Sequence, residues 1–343
     1  MTAGARRDSG PPDRPPGWDD APETVLQIVD PAGVAVAWIC PELGANIVAY
    51  AVDTGQGWRQ VLHQDGPAAL RKRPSRFGLP ILFPFPGHMV GGRYRWQGRE
   101  YVMPLLDPAA RSYTHGFAHQ RPWRFTRHDP SALTAILDTR SDLEPAQRAG
   151  YPFDLTLTLG VGLQDGRLTV ELVAENVGGA SAPVGIGLHP YFDPAFFAGS
   201  DRTALGIRLP GRSERRLTSG PPIPTGESVP ADPTVAIRPV ALGSTMLVSR
   251  TDFGDQRAAQ ISGSDNPRDS LAVDLDMEMG WEDVLLFAPA DGPSISIEPH
   301  TCAPGASSLP AGDPDGLRGL EPGQHFGVRA SIVVAPLSPV PTR

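Results

Sequence analysis

The chain has 343 residues and a formal net charge of −8, with a sequence pI near 5.5; this balance disfavours nucleic acid and anionic membranes, which select basic surfaces. Its 38 Gly and 39 Pro are well above ordinary usage yet short of low-complexity composition, so they punctuate many short elements rather than a few long helices. The two cysteines, Cys40 and Cys302, predict no disulfide framework and fit a reducing cytoplasm.

Residues 1–21 are rich in Pro, Gly and charge, lack the apolar stretch of a signal peptide, and are predicted to form a disordered tail. From 22 to 337 no composition break or fixed-period repeat divides the chain, which predicts a single large domain, and 338–343 read as a loose Pro-rich end. No apolar run approaches the roughly 18–20 residues of a membrane span. Within the domain the period is two almost everywhere. Segments 25–29, 34–39 and 47–52 read as strands between Pro/Gly turns, and 144–149 as a helical turn or two. Leu155-Thr156-Leu157-Thr158-Leu159 alternates cleanly, then crosses a turn at Asp165-Gly166 into Leu168, Val170 and Leu172, predicting a hairpin. Strands at 284–287 and 295–297 are joined across Asp291-Gly292-Pro293. The economical architecture is all-β: a large sandwich of mostly antiparallel strands.

Two alternating stretches end in groups that exchange protons. In Gly185-Ile186-Gly187-Leu188-His189, both glycines share a face with His189. Glycines in a strand mark close approach by a backbone or ligand, so this face is predicted to be a floor for a flat polar molecule. In Ser294-Ile295-Ser296-Ile297-Glu298 the carboxylate lies on the face opposite the isoleucines. An imidazole and a carboxylate, each at a strand's polar end, are the parts of a general acid–base pair. Gly91-Gly92 reads as a bulge or tight turn.

Pro80-Ile81-Leu82-Phe83-Pro84-Phe85-Pro86, Gly91-Gly92-Arg93-Tyr94, Thr114-His115-Gly116-Phe117, Arg121-Pro122-Trp123, Gly187-Leu188-His189-Pro190-Tyr191-Phe192 and Ile297-Glu298-Pro299 follow one another in an order that resembles the aldose 1-epimerase (galactose mutarotase) family. The resemblance runs from roughly residue 25 to 334. It implies a β-super-sandwich and interconversion of the α and β anomers of a free sugar, with no metal or organic cofactor. It casts His189 as the general acid on the ring oxygen and Glu298 as the general base on the C1 hydroxyl. His115 matches a histidine that orients the pyranose near its ring oxygen. Asp252 falls near the family's sugar-binding aspartate, with Asp255 and Asp276 as alternatives. Phe83, Phe85, Phe117 and Trp123 are candidates for an aromatic wall, with core packing the competing role.

One departure stands out. Family members carry Asn-Arg after the Pro-Phe-Pro stretch, with the arginine in the sugar site; this chain has Gly87-His88. An imidazole cannot reproduce the guanidinium's fixed fork of donors. Either His88 makes a different substrate contact or the chemistry is weakened, which leaves a sugar-binding or sensing protein on the same scaffold as the alternative reading. A two-His-one-carboxylate metal set of His115, His189 and Glu298 is disfavoured, because no closely spaced His pair supports it. Arg73, Arg76, Arg93 and Arg121 suit either a sugar phosphate or the solvated surface, the latter preferred. His63, His119, His128, His300 and His325 read as surface or structural. Sugar identity and oligomeric state leave no trace in the sequence.

Overall fold

The hairpin at Asp165-Gly166 forms as Leu155–Gln164 and Arg167–Asn176, and its two turn residues take φ of 52° and 70°, the positive values that a tight primed turn demands. Burial alternates along Leu155–Gln164, so its leucines and Val161 face inward while threonines and glycines face out. The structure, a computed structural model, describes residues 10–105, 111–197, 203, 205–209, 213–218, 222–230, 244–249, 258–263, 271–309 and 316–336. The hairpin belongs to an eight-stranded antiparallel sheet in the spatial order Arg124–Asp129, Ala132–Asp138, Leu155–Gln164, Arg167–Asn176, His325–Pro336, Leu271–Met279, Ala258–Gly263 and Leu205–Arg208. A second sheet of eight runs Pro224–Pro230, Ser213–Leu217, Ser244–Ser249, Asp283–Ala288, Ile295–His300, Gly187–Leu188 and Ile81–Leu82, with Tyr191–Phe192 also pairing onto Ile295–His300. One apolar core joins Leu157 and Leu172 of the first sheet, Val284 and Ile297 of the second, and Ile39 and Ile47 of a smaller sheet. The fold is therefore the mostly antiparallel super-sandwich expected. The helical turn expected at 144–149 forms as Pro145–Gly150 behind a capping box of Glu144 and Gln147.

The smaller sheet, Leu26–Val29, Ala35–Cys40, Asn46–Asp53 and Trp58–Gln60, corrects one expectation. Ala35–Cys40 is buried along its whole length, so its second face needs a cover. Trp18 supplies much of it, fully buried with Val36, Trp38, Cys40, Val48, Leu70 and Phe77. Its indole N–H donates to Gln64 Oε1 at 2.9 Å, and Gln64 Nε2 donates to the Pro16 carbonyl at 2.7 Å. Residues 10–21 are thus packed rather than a disordered tail, because one large aromatic anchors a stretch whose average composition is polar. Among the described residues, no helix is long and apolar enough to cross a membrane.

Candidate active site

Strand Ile295–His300 is buried on both faces, yet only one is apolar. Ile295 and Ile297 enter the core, and period two puts Ser296, Glu298 and His300 together on the other side. On one flank the register is Leu285↔Glu298, Leu286↔Ile297 and Phe287↔Ser296. On the other, Gly187 pairs with His300 and Tyr191 with Ser296. These pairs share one antiparallel register, which sets His189 opposite Glu298, where same-face side chains meet. His189 Nε2 lies 3.3 Å from Glu298 Oε1, with both side chains almost wholly buried. The strand holding His189 is anchored by its own amide, which donates to the Pro80 carbonyl at 3.1 Å, and by the pairs Leu82↔Gly187 and Ile81↔Leu188.

Ser296 decides which nitrogen of His189 carries hydrogen. Its hydroxyl donates to the Pro190 carbonyl at 2.9 Å, because a carbonyl can only accept. Ser296 Oγ must then accept from His189 Nδ1–H, 2.7 Å away. Nε2 is left without hydrogen in the neutral ring, facing Glu298 and the Tyr191 hydroxyl at 3.1 Å. The Tyr191 ring stacks on the imidazole at 4.5 Å and 14°, and the Arg76 guanidinium sits 4.8 Å from the Tyr191 ring centre. Burial pushes the His189 pKa down to about 4, against the upward pull of the Glu298 carboxylate.

His115 reaches the same place by a strained turn. It takes φ 65° and is followed by Gly116 at 72°; a Cβ on Gly116 would stand 2.0 Å from the Phe83 carbonyl oxygen, so only glycine fits. The His115 ring meets His189 edge-on at 5.2 Å. Its Nδ1 accepts from the Gly87 amide at 3.2 Å, which places the hydrogen of the neutral ring on Nε2. Burial, followed by the nearby imidazoles, drives its pKa well below the ordinary value. His88 belongs to the two-stranded ribbon His88–Val90/Ser112–Thr114. Its Nδ1 lies 3.3 Å from Ser112 Oγ and 3.4 Å from Thr114 Oγ1, with its ring 6.2 Å from that of His115. Burial lowers its pKa as well.

The structure thus brings His189, Glu298, His115 and His88 together. Asp252 and Asp255 lie outside the described residues, and Asp276 is held by Arg167 at 2.7 Å. The glycine floor is not a surface for a ligand. A Cβ on Gly187 would meet His300 Cδ2 at 2.8 Å, and one on Gly185 would meet Pro86 Cδ at 2.8 Å and Cys302 Sγ at 2.9 Å. Both glycines make room for neighbouring side chains. Phe83, Phe85, Phe117 and Trp123 are core residues. Arg73 and Arg76 share Asp291, Arg93 pairs with Glu100, and Arg121 pairs with Glu144. Among the described residues no three His, Cys, Asp or Glu side chains are grouped as a metal site.

Sequence reasoning missed four neighbours: Ser296, Tyr191, His300 and Phe287. The half-buried Phe287 ring stands edge-on to His189 at 6.3 Å. The signal for Ser296 and His300 was available, since both share the Glu298 parity of one alternating strand.

A sequence model of the aldose 1-epimerase family matches residues 26–274; the match includes His88, His115, His189 and Asp252 and ends before Glu298. Among curated proteins, the chain is 25% identical over 281 residues to uncharacterized protein YihR of Escherichia coli (strain K12), covering 75% of this chain and 82% of that one. It is 34% identical over 112 residues to uncharacterized protein YphB of the same strain, covering 32% and 35% of the two chains. Among solved structures, it shares its fold with a galactose mutarotase-like protein from Clostridium acetobutylicum at a TM-score of 0.76 and 18% identity, covering 92% of this chain and 99% of that one. It likewise shares its fold with the GalM/aldose epimerase homologue from C. elegans at a TM-score of 0.75 and 15% identity, covering 92% and 100%. With more than two thirds of its length matched, and its fold shared along nearly all of it, the chain belongs to the aldose 1-epimerase family.

Proposed function

We propose that the protein interconverts the α and β anomers of a free aldose, with Glu298 as general base and His189 as general acid and without a cofactor. The observation that carries this reading is the 3.3 Å approach of His189 Nε2 to Glu298 Oε1 on facing strands. The C1 hydroxyl and the ring oxygen share one carbon, so a base and an acid held side by side can serve both. Glu298 takes the proton from the C1 hydroxyl, the bond from C1 to the ring oxygen breaks, and His189 Nε2 protonates that oxygen. The open-chain aldehyde turns about C1–C2. On closure Glu298 returns its proton to the carbonyl oxygen and His189 recovers its own from the attacking hydroxyl. The cycle therefore starts with Glu298 ionised and His189 protonated on Nε2, a state that burial opposes and the Glu298 carboxylate favours.

His115, His88 and Asp252 serve in this reading as sugar contacts, His115 presenting Nε2–H, and residues 22–337, with 10–21 packed against them, form one cytoplasmic domain. The Gly87-His88 departure favours a second reading, a carbohydrate-binding or sensing protein whose chemistry is blunted. Anomer exchange of a panel of unmodified and phosphorylated hexoses, followed by saturation-transfer NMR or polarimetry, separates the two. Glu298→Gln and His189→Asn are each expected to cut exchange by about 10²–10⁴-fold while leaving the melting transition in place. A wild-type rate in either variant removes that residue from the mechanism, and binding without exchange by the native protein selects the second reading.

A further inference from the structure

His300 lies against Glu298 yet has no part in the proposed chemistry, and its surroundings are unusual. It is fully buried, and among the described residues neither ring nitrogen has a hydrogen-bond partner. Burying a polar group without a partner is costly, so native structures rarely keep one idly. The slot that holds it is purpose-shaped: Gly187 pairs with it across the sheet, and a Cβ there would collide with Cδ2. Its Nε2 lies 3.4 Å from Glu298 Oε2, on the opposite side of the carboxylate from His189. Each oxygen of Glu298 thus faces one imidazole.

The two imidazoles are not equivalent. Ser296 holds hydrogen on Nδ1 of His189, so in its neutral form that ring turns a bare Nε2 toward Oε1 and offers the carboxylate nothing. His300 has no such constraint and can place its hydrogen on Nε2, pointing at Oε2. We propose that His300 is a positioning residue that donates from Nε2 to Glu298 Oε2, holding the carboxylate ionised and aiming Oε1 at the sugar's C1 hydroxyl. This rests on the reading of Glu298 as the base. The 3.4 Å spacing is longer than a good hydrogen bond, as contacts in unliganded acid–base sites often are. Among the described residues, the other titratable groups set against His300 include His189, His115 and its cross-strand neighbour Asp283. Asp283 is itself 3.5 Å from Arg215.

The test compares His300→Leu, which removes the donor, with His300→Gln, whose amide restores one. In exchange kinetics, His300→Leu is expected to lower kcat by about 10–100-fold with KM changed less than about threefold, and His300→Gln to recover most of the loss. A second measurement needs no activity: long-range 15N–1H spectra of the His189 imidazole in the full chain, titrated with pH. Without the donor the carboxylate grips the shared proton more tightly, so the midpoint of the His189–Glu298 pair should rise by about one to two units in His300→Leu and return in His300→Gln. An unchanged midpoint in His300→Leu, or equal shifts in both variants, overturns the proposal and leaves His300 as packing alone. If the native protein exchanges no aldose, the functional reading fails while the titration still decides the role of His300.

Discussion

Removing the Ser296 hydroxyl tests the link between tautomer and chemistry. Ser296 is fully buried and makes two hydrogen bonds, accepting from His189 Nδ1 at 2.7 Å and donating to the Pro190 carbonyl at 2.9 Å. Ser296→Ala removes one oxygen and leaves one donor and one acceptor stranded, each at about 1–3 kcal/mol. The Pro190 share falls on folding, so stability should drop by about 1–3 kcal/mol. The His189 share falls on the imidazole proposed as the general acid, which is then free to move its hydrogen to Nε2 or rotate away from Oε1. If that loss appears in the transition state, kcat falls roughly 5- to 150-fold with little change in KM. Kinetics of anomer exchange read the rate, urea denaturation reads the stability, and imidazole 15N shifts read the tautomer. A variant that keeps the Nδ1–H tautomer and the native rate would refute the reasoning, since the ring would then be oriented by something else.

Two further expectations concern stability. Burial holds His119 at about 3 and His189 at about 4, against about 6.5 in an unfolded chain. Below about 6.5 the unfolded state binds protons that the folded state refuses, so stability is lost as pH falls from there toward the folded values. At about pH 5 each such histidine costs on the order of 2 kcal/mol, and urea midpoints should drop between pH 7.5 and 5; a flat profile would mean that the native histidines are already charged. Trp18→Ala should cost about 3–5 kcal/mol by emptying a filled site on the smaller sheet, read as a lower melting temperature with anomer exchange at room temperature retained. An unaltered melting temperature would show that residues 10–21 contribute nothing to the fold.

Much of the fold was legible because it depends on local alternation. Leu155–Gln164 and its partner write their burial directly as period two, and Asp165-Gly166 names its own turn. His189 and Glu298 were legible for a similar reason, each standing at the polar end of an alternating stretch. Their apposition was not, since it comes from a register visible only once Gly187↔His300 and Tyr191↔Ser296 are paired. The purpose of Gly185 and Gly187 was misread for the same cause: a glycine announces that something comes close, while the sheet decides that it is Cys302 or His300 rather than a sugar. His300 read as surface or structural because its kinship with Glu298 shows only when the alternation ending at Glu298 is carried two residues further, past Pro299. Trp18 was hidden by averaging, one anchor in a stretch of prolines and charges.

Glu298 stands on a strand locked into the second sheet and His189 directly follows another, whereas His88 comes from the separate ribbon His88–Val90/Ser112–Thr114. Under the proposed function, evolution can therefore retune which sugar is gripped by remodelling the ribbon, with no disturbance to the ladder that spaces imidazole from carboxylate. An ancestor's chemistry would survive such a change intact, and descendants could diverge in diet long before they diverged in reaction.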